Sequence, residues 1–169
     1  KDVSDYQKNL RVNLEVMHKR LASGYYQHES YQRFTIHDPK QRQIHKATVE
    51  DRIVHQAIVT AIAPHFEKRF IYDSYSCRVG KGTHAGVLRL QTFLRKSSRN
   101  NTRKVYMLKC DIRKYFSSID HEILLSLIAR RIDNDEILEL IRTIILSHGS
   151  VTGKGIPLGN VTSQLFANI

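Results

Sequence analysis

Cysteine is scarce in this sequence. Cys77 and Cys110 are the only two among 169 residues, they lie far apart, and no Cys-x-x-Cys spacing occurs. That excludes a disulfide framework or zinc ribbon, and the pair is expected to be core thiols in a reducing compartment. The nine histidines show neither His-Glu-x-x-His nor His-x-x-x-His spacing, so no zinc site is expected. No apolar run approaches the roughly 18 residues a membrane helix needs, so no membrane partner is expected. Internal repeats, low-complexity tracts and a Gly-x-Ser-x-Gly elbow are also missing. Gly80-Lys81-Gly82-Thr83 is not a Walker loop, because the lysine is not followed by Ser or Thr. The opening KDVSDYQKNL is neither a signal peptide nor an initiator methionine, and reads as a trimmed start within a longer cytoplasmic protein.

What is present is ordinary globular composition with an unusual charge. Apolar residues make up 41% and charged residues 25% of the chain, which suits one domain or a large piece of one. At this length roughly 70% of the unfolded surface is buried, so a core needs no metal or disulfide. The balance is 27 Lys and Arg against 16 Asp and Glu, a net +11. Upstream of Asp111 the count is 21 basic to 9 acidic; from Asp111 onward it is 6 to 7. All the excess positive charge therefore lies upstream, which points to a polyanion such as nucleic acid. The alternative is a solvated basic surface kept for solubility.

Periodicity sets out the elements. Leu10, Leu14, Met17 and Leu21 recur at helical spacing, predicting a helix over Ser4–Ala22 ended by Gly24. Tyr31–Ile36 and Arg42–Ala47 read as strands joined by His37-Asp38-Pro39-Lys40-Gln41. Thr48 can cap a helix with Glu50 and Asp51 in its first turn and a stripe of Ile53, Val54, Ala57, Ile58 and Ile62 running towards Pro64. Another helix is expected over Thr83–Lys96, then a polar loop SSRNNTR. Val105–Ile112 is a near-continuous apolar run, the pattern of a central strand buried on both faces. Two helices follow, His121–Arg131 capped by Asp120 and Asp135–Ser147 with Asp133 and Glu136 as a capping box, the latter closed by His148-Gly149. The glycine-rich VTGKGIPLGN then leads into a last apolar stretch. No linker separates the halves, and a basic α/β subdomain packed on the start of a sheet-and-helix subdomain is expected.

Asp111 is the strongest candidate for chemistry. A carboxylate at the end of a buried strand is costly unless paired or on a metal, and sites of open α/β sheets lie at the carboxyl ends of strands. A capping or turn aspartate is the alternative. The string Asp111-Ile112-Arg113-Lys114-Tyr115-Phe116-Ser117-Ser118-Ile119-Asp120-His121 resembles the first palm motif of reverse transcriptases, an aspartate followed five residues later by an aromatic. Gly155-Ile156-Pro157-Leu158-Gly159-Asn160-Val161-Thr162-Ser163-Gln164 is similar to the next palm motif. RFTIHDPKQRQIHKATVEDRIVHQAI and DSYSCRVGKGTHA resemble the fingers motifs of bacterial retroelement polymerases. The resemblance runs from about Arg33 to Ile169, some four-fifths of the chain. Leu158 falls where many reverse transcriptases carry glutamine, and Gln164 where many carry proline. This is similar to diversity-generating retroelement enzymes, in which an aliphatic residue here goes with low-fidelity copying of adenines; group II intron-like enzymes are the nearest other lineage.

The resemblance implies an α/β (α+β) right-hand polymerase fold, with fingers over 1–104 and the first part of the palm over 105–169. It implies RNA-directed DNA synthesis on an RNA template from a DNA or RNA primer and deoxynucleoside triphosphates, with an accessory protein as a further partner. Two magnesium ions about 3.5–4 Å apart would activate the primer hydroxyl and hold the triphosphate. Asp111 would touch both, and the Ile112 carbonyl could be a further ligand. Phe116 would lie under the deoxyribose and exclude a 2′-hydroxyl; without the family pattern it reads as a core aromatic beside Tyr115. Lys40 and Arg42 would clamp the triphosphate, or be solvated strand charges. Pro157, Leu158 and Gly159 would bring backbone close to the nascent pair. Arg52, Arg78 and Lys81 are candidates for template phosphate, although Arg52 and Arg78 could instead pair with Glu50, Asp51 or Asp73. The third palm motif, an aromatic-x-Asp-Asp hairpin, does not occur in the sequence, and neither does a thumb. One carboxylate cannot hold two ions, so the 169 residues alone are expected to be inactive within an active parent. A non-catalytic nucleic-acid-binding module derived from such an enzyme is the alternative.

Overall fold

A computed structural model of the chain describes residues 2–37, 40–148 and 153–169. Helix α1 (Asp2–Lys8) is followed by α2 (Leu10–Ala22), the hairpin β1 (Gln32–His37) and β2 (Gln41–Lys46), and the long α3 (Val49–Glu67). Then come α4 (Thr83–Ser97), the single turn α5 (Tyr115–Ser118), α6 (His121–Ala129), α7 (Asp135–Leu146) and α8 (Val161–Phe166). No helix among the described residues is long and apolar enough to cross a membrane.

The predicted Ser4–Ala22 helix is broken at Asn9, whose ψ of 34° leaves the helical region. The Asn13 side-chain amide donates to the Tyr6 carbonyl at 2.9 Å and so satisfies one acceptor at the end of α1. Helix α3 begins as expected: the Thr48 hydroxyl accepts from the Asp51 amide. Pro64 does not end it, because Phe66, 5% exposed, anchors one more turn in the core. The cap of α7 is Asn134, whose Oδ1 accepts from the Ile137 amide at 2.9 Å, in place of the expected Asp133–Glu136 box. Asp120 caps α6 through the amides of Glu122 and Ile123.

One core joins the two halves of the sequence. Val54, Ile58, Ile62 and Phe66 of α3 pack with Ile128 of α6, Ile141, Ile144 and Ile145 of α7, and Leu165 and Phe166 of α8. Gathering these side chains removes most of their apolar surface from water, roughly 1.5–3 kcal/mol for each large one.

Two further expectations are corrected. Val105–Ile112 forms no strand; Tyr106 is 88% and Leu108 87% exposed, and Asp111 ends an exposed segment rather than a buried one. A strand buried on both faces needs a ladder along each edge, and β1–β2, the sheet among the described residues, does not pair with it. Cys110 is exposed with this segment, and Cys77 is exposed in a turn at φ 55°, so neither is a core thiol. Asp38 and Pro39 of the hairpin turn, Gly149 in the expected closure of α7, and the first two residues of the glycine-rich loop lie outside the described residues.

Candidate functional site

The β1–β2 register pairs Arg33 with His45 and Ile36 with Arg42, and both arginines line one cleft with the start of α5. Lys114 just before α5 is left-handed, with φ 53° and ψ 36°, a conformation that costs a non-glycine residue roughly 1–2 kcal/mol. This turn lets Phe116 pack on the core while Asp111, Lys114 and Tyr115 face a cleft. The cleft encloses about 950 Å³, and Lys40, Arg42 and Leu158 line its other walls.

The loop over 153–160 holds these walls together. On one side, the Ile156 amide donates to the Phe116 carbonyl at 2.9 Å and the Gly155 amide to the Ile119 carbonyl at 2.7 Å. The buried His121 ring bonds the Gly155 carbonyl through Nε2 at 2.7 Å, the nitrogen that must carry the proton to donate there. On the other side, the His45 amide donates to the Leu158 carbonyl at 2.8 Å. A Cβ added to Gly159, at φ 112°, would stand 2.8 Å from Ile44 Cγ2, so this crossing of strand and loop requires glycine.

Charge distinguishes the cleft. Among the described residues Arg33, Lys40, Arg42, Lys114 and Lys154 line it, against one carboxylate, Asp111. Among the described residues no hydrogen bond or ion pair engages the side chains of Lys40, Arg42 or Asp111. His45 and His148 meet edge to face at the cleft floor, ring centroids 4.8 Å apart. Burial pushes both imidazoles below their ordinary value, and Arg33 adds to the effect on each. The floor is therefore neutral near pH 7 and the walls are cationic, an arrangement suited to a polyphosphate.

Of the residues singled out in the sequence, Lys40, Arg42, Asp111, Phe116 and Leu158 come together here. Pro157 is buried beside Leu158, while Ile112 is 67% exposed and not among the cleft walls. Arg52, Arg78 and Lys81 are not among them either. Arg52 bonds Asp2 at 3.2 Å and the Thr48 carbonyl. Arg78 is held by Glu67 at 2.7 Å and by the carbonyls of Ile71 and Ser74. Lys81 donates to the Tyr72 carbonyl and sits 3.8 Å over its ring. Sequence reasoning missed Arg33, His45, Lys114, His148 and Lys154. Lys114 was findable, three residues after Asp111 in the same motif; His45 and His148 are joined only by the fold.

The hairpin, the Asp-x-x-x-x-Phe turn and the glycine loop together build one basic cleft. The chain belongs to the reverse transcriptase (RNA-dependent DNA polymerase) family, whose model matches residues 36–169. It is similar to Protein YkfC of Escherichia coli strain K12, 29% identical over 96% of this chain and 44% of that protein. It is also similar to Nuclear intron maturase 1, mitochondrial, of Arabidopsis thaliana, 22% identical over 63% of this chain and 16% of that protein. The chain thus spans less than half the length of either relative.

Proposed function

We propose that these residues form the fingers, over 1–104, and the first part of the palm, over 105–169, of an RNA-directed DNA polymerase, with the cleft receiving the incoming deoxynucleoside triphosphate. The observation that carries this reading is the convergence of Lys40 and Arg42, which no described carboxylate pairs, with Asp111 and Phe116 in one cleft, from segments about 70 residues apart in sequence. Lys40 and Arg42 would take the phosphates through charge-assisted bonds, the guanidinium able to grip two oxygens at once. Phe116, its carbonyl tied to Ile156, would present its ring to the sugar. Leu158 and Gly159 would face the new base pair, and the aliphatic Leu158 fits a diversity-generating or related bacterial retroelement enzyme. Arg52 and Arg78 take the ion-pairing role in this reading, which leaves Lys81 as the candidate on a surface.

The described residues do not complete a metal site. No three acids, histidines or cysteines among them are placed to hold an ion, and Asp111 is the one carboxylate lining the cleft. A hard divalent cation in polymerisation needs several oxygen ligands, so synthesis would require carboxylates from beyond these residues. A binding module without catalysis gives Asp111 no task.

The test is RNA-templated primer extension by a longer polypeptide that carries this chain. Asp111→Ala is expected to lower DNA synthesis by roughly a thousandfold or more while template affinity stays within a factor of about three. Equal loss of synthesis and template binding would make Asp111 structural and overturn the reading.

A further inference from the structure

Asn160 occupies the N-cap of α8, with extended φ −113° and ψ 146°. Asparagine is favoured there because its side-chain oxygen accepts from the first-turn amides. Here it makes no such bond. Instead Nδ2 donates to the His45 carbonyl at 3.1 Å, across 115 residues of sequence. The side chain is buried, 3% exposed, and Oδ1 has no partner among the described residues. A buried amide that leaves a helix uncapped and its own oxygen unsatisfied is held by what its donor does.

The position of His45 shows what that is. The His45 amide donates to the Leu158 carbonyl, and the His45 carbonyl accepts from Asn160. Both backbone groups of one β2 residue thus point away from β1 and are satisfied by the glycine loop, as a third strand would satisfy them. Three residues upstream on β2 stands Arg42, and two residues before Asn160 stands Leu158, both in the cleft wall. Gly159 between them admits Ile44 at a spacing that no side chain would allow.

We infer that Asn160 is a positioning residue: it clamps β2 onto the glycine loop and so fixes Arg42 relative to Leu158 and Phe116 when a nucleotide enters. The inference deepens the nucleotide-cleft reading and rests on it for the identity of the ligand. The clamp itself does not depend on that reading.

Three variants separate clamp from cap. Asn160→Asp keeps the size and the capping oxygen but loses the donor; Asn160→Ser caps but is too short to span; Asn160→Ala loses both. Amide hydrogen exchange at His45, thermal stability and the affinity for dATP by calorimetry without metal are measured on the chain, with Arg42→Ala as the nucleotide control. The Ser variant is expected to keep a Tm above that of Asn160→Ala, because α8 gains its cap, and the Asp variant to fall below the Ser variant, because its buried carboxylate faces the His45 carbonyl. His45 should exchange roughly tenfold faster, and the Kd for dATP should rise roughly five- to tenfold.

Unchanged His45 exchange in both capped variants would overturn the clamp. Faster exchange with unchanged dATP affinity, while Arg42→Ala weakens it, would overturn the positioning role and leave Asn160 structural. Loss of dATP affinity only in step with a falling Tm would do the same. If Arg42→Ala leaves dATP affinity unchanged, the nucleotide reading fails by itself, and His45 exchange still decides the clamp.

Discussion

Phe116 acts at two points: its carbonyl anchors the glycine loop, and its ring packs against the core at the edge of the cleft. Truncation to alanine keeps the carbonyl and removes the ring. Phe116→Ala is therefore expected to raise the use of ribonucleotides relative to deoxyribonucleotides by roughly tenfold, read by single-nucleotide extension in the longer polypeptide. An unchanged ratio would count against the gate. Gly159 carries a different burden, steric and conformational. Gly159→Ala meets both a φ of 112° and Ile44 Cγ2 at 2.8 Å, and should cost about 2 kcal/mol in urea unfolding. A loss below about 0.5 kcal/mol would mean the strand and loop can separate at little cost, contrary to the clamp. The motif pattern singled out Gly159 and Phe116 in the sequence, but the crossing of Gly159 with Ile44 was not legible there, since it joins segments over a hundred residues apart. The bond of Asn160 to His45 was not legible either, because Asn before a helix reads locally as a cap.

Among the elements, α3 followed its sequence closely. Thr48, the acids of its first turn and the apolar spacing all agree, and Asp51 ties the start of α3 to Tyr26 by a 2.6 Å bond from the phenol. Thr48 also donates to Asp51 at 2.7 Å. Thr48→Ala should cost about 1–2 kcal/mol in chemical denaturation, more than an exposed cap, because buried Asp51 loses a donor. The hairpin, α4 and α6 were legible for the same reason: their signals are local caps, turns and periodicity. The run Val105–Ile112 was misread because its pattern describes a strand only if neighbours exist to pair with it. That condition concerns the fold, not the segment. The break at Asn9 and the shift of the α7 cap to Asn134 are choices between adjacent hydrogen-bonding residues, which periodicity does not resolve.

Across the whole molecule, buried histidine links stability to pH. Burial pushes His55 down to about 4, with His28 adding to the effect and Asp51 opposing it, and His45 and His148 shift the same way. The unfolded imidazole binds its proton near pH 6.5 while the folded one resists it. The neutral form's contribution is therefore complete above pH 6.5 and is lost as pH falls from there towards 4. His55 alone accounts for on the order of 3 kcal/mol over that window. The urea midpoint should accordingly drop between pH 7.5 and pH 5.0, above the usual carboxylate range; an equal or higher midpoint at pH 5.0 would contradict the buried neutral state.

All the excess positive charge lies upstream of Asp111, over far more residues than line the cleft, yet the proposed nucleotide site is that one cleft. The most direct measurement is a titration of the isotope-labelled chain with dATP, followed by amide chemical shifts. Perturbations are expected to cluster at residues 40–45, 111–117 and 154–158. Shifts spread along α4, or confined to the exposed face of α3, would contradict the account and return the charge to a general polyanion surface.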